Sequence, residues 1–289
     1  MTKILIIGGG SQLGSELVKL FADSKASYHS PDSKDQLKID LTDPTGTEST
    51  ILKEEPDIIV NSAAFVEVDR CEEENEYAYK VNSLGVKHIV RAASILDSYL
   101  VHVSTDYVFD GEKGQYSEES VPNPINYYGF SKMMGDAFAM SYDHSLIVRT
   151  SGVFGNKRNF PRFVLERLMS GKDVSVIEGY YSPISAKKLA EGIKHAIDLR
   201  LHGILNVAGQ RTSRIDLAKM IADQFNLDGT LVKGMDASEM KFKAQRPYDS
   251  SLDIRRAMNL LPNHIFDPVE NVRALSSHGG DRTNSGGSR

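Results

Sequence analysis

Residues Ile4-Leu5-Ile6-Ile7 run straight into Gly8-Gly9-Gly10-Ser11-Gln12-Leu13-Gly14. A short apolar run without alternation fits a strand covered on both faces, as in the interior of a parallel sheet. Leu17, Leu20 and Phe21 follow at helical spacing. Strand, glycine turn and helix in that order suit a phosphate cradle, because backbone N–H groups and the helix N-terminus face an anion together. The alternative is a tight turn without a ligand.

The rest of the chain repeats the alternation. Apolar or strand-like runs at 26–30, 37–41, 57–60, 100–103 and 146–149 are separated by helical patterns at 48–53, 69–97 and 127–139. Six such runs alternating with helices predict an α/β fold, a doubly wound parallel sheet of the Rossmann type. Residues 1–150 form the expected NAD(P)-binding domain, with a return segment at about 184–208 that carries a helix at 188–199 and a strand at 203–207. Residues 151–183 and 209–275 form a smaller C-terminal substrate domain, with a strand expected at 174–177 and a helix at 214–225. The Gly/Ser-rich stretch 276–289 reads as a disordered or appended tail.

Chemistry concentrates between residues 104 and 132. Ser104 and Thr105 stand where the run 100–103 ends, and Tyr128 and Lys132 are four apart on the following helix, hence on one face. Of twelve tyrosines, only Tyr128 has a lysine at that spacing. A free phenol titrates near pH 10, and a neighbouring ammonium is expected to lower it into a useful range. The Thr105 hydroxyl would fix a carbonyl oxygen that Tyr128 protonates, which is the minimum set for reducing a ketone by hydride transfer. The bland alternative is a packed tyrosine beside a solvated lysine.

Ser104-Thr105-Asp106-Tyr107-Val108-Phe109-Asp110-Gly111, followed by Tyr128-Gly129-Phe130-Ser131-Lys132, resembles the dTDP-4-dehydrorhamnose reductase family of extended short-chain dehydrogenases/reductases. The likeness spans about residues 3–273. It implies Thr105, Tyr128 and Lys132 as catalytic residues, with Lys132 also on the nicotinamide ribose. It implies a cofactor site at Gly8, Gly10, Ser11, Gln12, Leu13, Gly14, Asp40, Leu41, Ser62, Ala63 and Ala64, with Asp40 accepting from the adenine amino group. Asn82 has two readings, a link from the lysine to water or a solvated helix residue. The implied activity is reduction of a nucleotide-linked 4-keto-6-deoxy sugar, dTDP-4-dehydro-L-rhamnose first.

This sequence departs from the family pattern in places. Of the three turn glycines, Gly8 and Gly14 match and the middle place is Ser11. Relatives carry a tryptophan wall two residues after an Arg-Thr pair, but Arg149-Thr150 is followed by Ser151-Gly152, which leaves an expected open space. Phe65 and Val66 replace a more polar pair and are expected to make one side of the sugar pocket apolar. Thr105 is followed by Asp106-Tyr107 and not by the Asp-Glu pair of sugar-nucleotide dehydratases, which argues against dehydration. A second reading is a non-catalytic subunit like the regulatory subunit of methionine adenosyltransferase.

Ser30-Pro31-Asp32-Ser33-Lys34 holds both an acid suited to NAD and hydroxyls with a cation suited to NADP. The weight of hydroxyls favours NADP, with NAD the alternative. Lys157, Arg158, Arg162, Arg167 and Lys172 cluster past the sheet, where they would hold a diphosphate or simply line a solvated helix face. Arg246-Pro247-Tyr248-Asp249-Ser250-Ser251-Leu252-Asp253 and Ser182-Pro183-Ile184 match the family's substrate side. A net charge of −5 argues against nucleic acid or an anionic membrane as partner. The single cysteine, Cys71, the absence of a spanning apolar run and an opening that enters a strand directly make the cytoplasm the default. The eight histidines show no metal spacing, so no metal is expected, and a homodimer is left open.

Overall fold

The computed structural model describes residues 2–33, 36–155, 157–236 and 241–275. Lys34 and the stretch 276–289 lie outside the described residues. Strand β1 (Ile4–Ile7) pairs in parallel with β2 (Lys25–Tyr28) on one side and β4 (Ile58–Asn61) on the other. With β3 (Leu37–Lys38), β5 (Tyr99–Val103), β6 (Ser145–Arg149) and β9 (Gly203–Asn206), the sheet has seven strands in the order β3-β2-β1-β4-β5-β6-β9. All of these pairings are parallel. The direction of winding reverses between β1 and β4, which opens a crevice at the strands' carboxyl ends.

Two apolar layers explain why the central strands read as continuous runs. Ile6, Val60, Val101 and Val148 pack under α1 (Gln12–Leu20) and α8 (Ala186–Asp198), against Leu13, Leu17, Leu189 and Ile193. Leu5, Ile7, Ile59 and Leu100 point the other way, onto Ile51 of α2 (Pro44–Glu54) and Ile89, Ala92 and Ala93 of α5 (Gly85–Leu96). Neighbouring positions thus bury opposite faces, and no polar alternation survives.

Three expected elements differ. The third strand is only two residues long, because the Asp40 carboxylate accepts from the Thr42 N–H (3.0 Å) and turns the chain. The run at 203–207, expected beyond the first six, joins the same sheet as its edge strand. The long helix at 69–97 is broken into α3 (Val68–Glu73), α4 (Asn75–Tyr79), a π-turn at Lys80–Leu84, and α5. Such a turn inserts a residue into the helical repeat and re-aims a side chain. Here it carries Asn82, which is buried, so the solvated reading of that residue fails.

A second apolar cluster lies beyond the sheet. It joins α7 (Phe160–Met169), β7 (Val174–Ile177), α9 (Arg214–Gln224) and β11 (Val232–Met235) through Val164, Leu168, Val176, Leu217 and Ile221. β7 and β11 are parallel, while β8 (Tyr180–Tyr181) and β10 (Thr212–Ser213) form a small antiparallel pair. Among the described residues, no helix is long and apolar enough to cross a membrane.

Candidate active site

The glycine turn ends at Ser11, which caps α1 by accepting from the Gly14 N–H (2.8 Å). Serine at the middle place is therefore a helix cap. The next two amides, of Gln12 and Leu13, belong to the first turn and have no intrahelical acceptor. Gly8 has φ +86°, and a β-carbon there would lie 2.8 Å from the Ala63 backbone. Gly14 lies against the Gly8 carbonyl more closely still. The Ser62 hydroxyl reaches the Ile7 carbonyl (2.9 Å) and lies 3.3 Å from the Ser11 hydroxyl, tying the ends of β1 and β4 together.

Beside this turn, His29, Asp40, Leu41, Ala63, Ala64 and Phe65 line an open cleft of about 200 Å³. The Thr42 hydroxyl and amide on Asp40 Oδ1 hold the Asp40 carboxyl below its ordinary range, so it is an acceptor facing the cleft. A flat base between apolar walls with one carboxylate at the rim fits these residues. Small residues at 63 and 64 leave room for the sugar–phosphate part. Lys157 joins the turn from across the crevice, its Nζ donating to the Gly10 carbonyl and its amide to Gln12 Oε1 (2.9 Å). Others in that basic cluster serve the fold. Arg167 donates to the Asp173 carbonyl (2.7 Å) and Arg162 to that of Leu275 (3.3 Å).

Thr105 follows β5 and Tyr128 lies in the first turn of α6 (Tyr127–Met140), which sets the Thr105 hydroxyl beside the Tyr128 phenol. Asn126 caps α6 by accepting from the Gly129 N–H (2.8 Å), and Glu72 accepts from that of Tyr127 (2.7 Å). Glu72, an early acid of the 69–97 region, thus holds the start of α6. Gly129 allows α6 to lie against the Tyr107 carbonyl. Asn82 accepts from the Phe65 N–H (2.8 Å) and donates to the Phe65 carbonyl and the Ser131 hydroxyl (3.0 Å each). It clasps the β4 loop to α6.

Lys132 is buried and its Nζ donates to the Val103 carbonyl (2.7 Å). Burial lowers its pKa to about 8, against an opposing pull from Asp136. The Tyr128 phenol is pushed upward by burial, with the neighbouring Thr105 hydroxyl acting against that. The expected lowering of the phenol by Lys132 is therefore not the dominant effect in the protein alone: desolvation outweighs it. A phenol that keeps its proton until a carbonyl oxygen needs it is a competent acid.

Sequence reasoning missed several neighbours. Tyr107 packs edge-on to Tyr128 with ring centroids 5.9 Å apart, and Arg214 lies near its phenol. Arg214 also lies over the Tyr181 ring at 5.0 Å. Asp106 is buried and accepts from Ser151 (2.7 Å), Ser250 (2.5 Å) and Thr105 (3.1 Å), which joins three segments at the site's floor. Burial pushes its pKa up. Ser250 comes from the segment 246–253, and Ser182 donates its N–H to Ser151 (3.1 Å).

Two expectations about the sugar side are corrected. Gly152 does not leave an open space, since the Tyr181 ring fills it, 2.6 Å from where a β-carbon would stand. Phe65 is turned into a cluster with Cys71 and Ala78 and packs on Tyr77 at 5.0 Å, so it borders the cofactor-side cleft, while Val66 is exposed.

The family model for the RmlD substrate binding domain matches residues 1–271. The chain belongs to the dTDP-4-dehydrorhamnose reductase family. It is 32% identical to the dTDP-4-dehydrorhamnose reductase of Aggregatibacter actinomycetemcomitans, over 96% of this chain and 100% of that one. It is similar to a solved structure of a hypothetical dTDP-4-dehydrorhamnose reductase from Sulfolobus tokodaii, with TM-score 0.88, 48% identity, and coverage of 95% and 99%. The Bacillus anthracis dTDP-4-dehydrorhamnose reductase, solved in complex with NADP, matches with TM-score 0.85 and 27% identity, over 96% and 99% of the two chains.

Proposed function

We propose that this family member reduces the 4-keto group of a nucleotide-linked 4-keto-6-deoxy sugar, most directly dTDP-4-dehydro-L-rhamnose to dTDP-L-rhamnose, with NADPH and secondarily NADH. The observation that carries this reading is the Thr105 hydroxyl set beside the Tyr128 phenol, with the buried Lys132 one helical turn on, at the carboxyl edge of the sheet next to the glycine turn. The bound nicotinamide supplies the hydride that C4 of the sugar receives.

The chain's own residues do the rest. Gln12 and Leu13 amides, with Lys157 beside them, meet the pyrophosphate, and Asp40 meets the adenine. Thr105 and Tyr128 hold the sugar's carbonyl oxygen between two hydroxyls, and Tyr128 gives it the proton. Lys132 holds the ribose of the nicotinamide and offers positive charge to the phenolate as it forms. Residues 1–150 with the return 184–208 act as the cofactor unit. Residues 151–183 and 209–275 close the sugar side, and the chain works in the cytoplasm on a soluble nucleotide sugar. The regulatory-subunit reading loses its main support once Ser11 is seen as a helix cap.

A cofactor-oxidation assay against dTDP-4-dehydro-L-rhamnose, with differently based analogues alongside, tests this. Turnover with the dTDP sugar is expected. Cofactor binding without oxidation by any keto sugar would overturn it.

A further inference from the structure

Lys132 belongs to a buried polar chain that this chemistry does not use. Asn61 Oδ1 accepts from the Ala63 N–H (3.2 Å), which assigns the amide's orientation, so its Nδ2 donates to His102 Nδ1 (3.2 Å). A neutral ring whose Nδ1 accepts carries its proton on Nε2. That nitrogen faces Lys132 Nζ at 3.5 Å and Asp136 Oδ1 at 3.7 Å. Asp136 Oδ2 lies 3.5 Å from Arg149 Nε. His102 is 0% exposed, and Lys132, Asp136 and Arg149 are each 2% exposed.

Lys132 and Asp136 are one helical turn apart, spacing at which an ammonium and a carboxylate usually pair. Buried pairing of this kind locks both side chains. Here the imidazole contacts both groups, and Asp136 Oδ1 has no hydrogen-bond partner within normal distance. The ring is neutral, since burial and then Lys132 hold its pKa well below the ordinary value. Its Nε2–H repels an ammonium and is drawn to the carboxylate.

We propose that His102 and Asp136 are positioning residues for Lys132. The ring is a neutral spacer that denies the ammonium a direct ion pair, and the carboxylate behind it keeps that ammonium charged. Lys132 is thereby free to reach the site while staying protonated. The groups facing it are His102 from β5, Asp136 and Tyr128 from α6 itself, and Arg149 from β6 behind Asp136. From the π-turn come Asn82 and Ser83, which carry no charge.

The inference rests on Lys132 as the cation of the proposed site, but its test needs neither cofactor nor sugar. Lysine labelled with carbon-13 at Cε in the ligand-free protein reports the titration of Lys132, assigned by its loss in Lys132→Met. The wild-type midpoint is expected near 8. Asp136→Asn should move it down by about one pH unit, and His102→Ala should move it up by a similar amount as ammonium and carboxylate collapse together. His102→Gln, which restores a neutral donor, should return it toward wild type. NADPH affinity, measured separately, should fall in His102→Ala and recover in His102→Gln.

A merely structural role would lower melting temperatures without opposite shifts. Midpoints that move together, or not at all, would overturn the proposal. Should His102→Ala not fold, a wild-type Lys132 titrating at the ordinary lysine value would overturn it equally. Failure of keto-sugar turnover would count against the proposed function and leave these shifts readable.

Discussion

The ring of Tyr181 lies against the α-carbon of Gly152, so close that a β-carbon would come within 2.6 Å of its Cε2. Gly152 also has φ +49°, a conformation that side chains resist. The Tyr181 hydroxyl is buried without a partner, beside Arg214 and near Tyr107. An aromatic face therefore stands at this side of the site, supplied from β8.

Introducing Gly152→Trp alone should destabilise the fold by roughly 2–4 kcal/mol, from backbone strain and overpacking together. Pairing it with Tyr181→Ala should recover much of that loss, because the two rings compete for one volume. Chemical denaturation of the two single variants and the double variant measures the coupling. Additive costs would show that the rings occupy separate places.

The glycine turn makes its own demand. Gly8→Val should abolish the rise in melting temperature that NADPH causes in wild type, because the β-carbon meets Ala63 where the chain must stay slim. Thermal melts with millimolar NADPH or NADH check it. A retained shift in the variant would move the cofactor elsewhere.

Removing the phenol hydroxyl by Tyr128→Phe should lower turnover by about 10²-fold or more and leave NADPH binding nearly unchanged. Thr105→Val should also lower turnover, since it removes the hydroxyl that stands beside the Tyr128 phenol. Near-wild-type rates in Tyr128→Phe would mean that the proton comes from another group.

Stability should record the buried lysine. Its pKa is about 8 in the folded protein and about 10.4 in the unfolded chain, so between those values the unfolded state holds more protons. Burying the charged form is a cost that is fully present below pH 8 and relieved as pH rises toward 10.4. Wild type should therefore gain stability relative to Lys132→Met across that window, by an amount of order 1–3 kcal/mol. Denaturant midpoints of the pair at pH 7 and pH 10 test the sign, and a constant difference would refute the linkage.

The sheet and its winding were legible in the residues, because an apolar run can be buried on both faces only where helices cover both. Legible too were the Tyr128–Lys132 face, which follows from helical spacing alone, and the glycine turn, whose close approach to Ala63 no larger residue permits. Tertiary structure decided what depends on contacts far apart in the chain. The run at 100–103 reads as an apolar strand, and the histidine at its centre was the one signal that a polar chain would form behind Lys132. Asn82 gained its place only when the helix opened into a π-turn, which no periodicity announces. Gly152 looked like an opening until Tyr181, twenty-nine positions later, folded across it. The phenol of Tyr128 was expected to be lowered by its neighbour, but burial set its direction, and burial is a property of the packed molecule and not of local spacing.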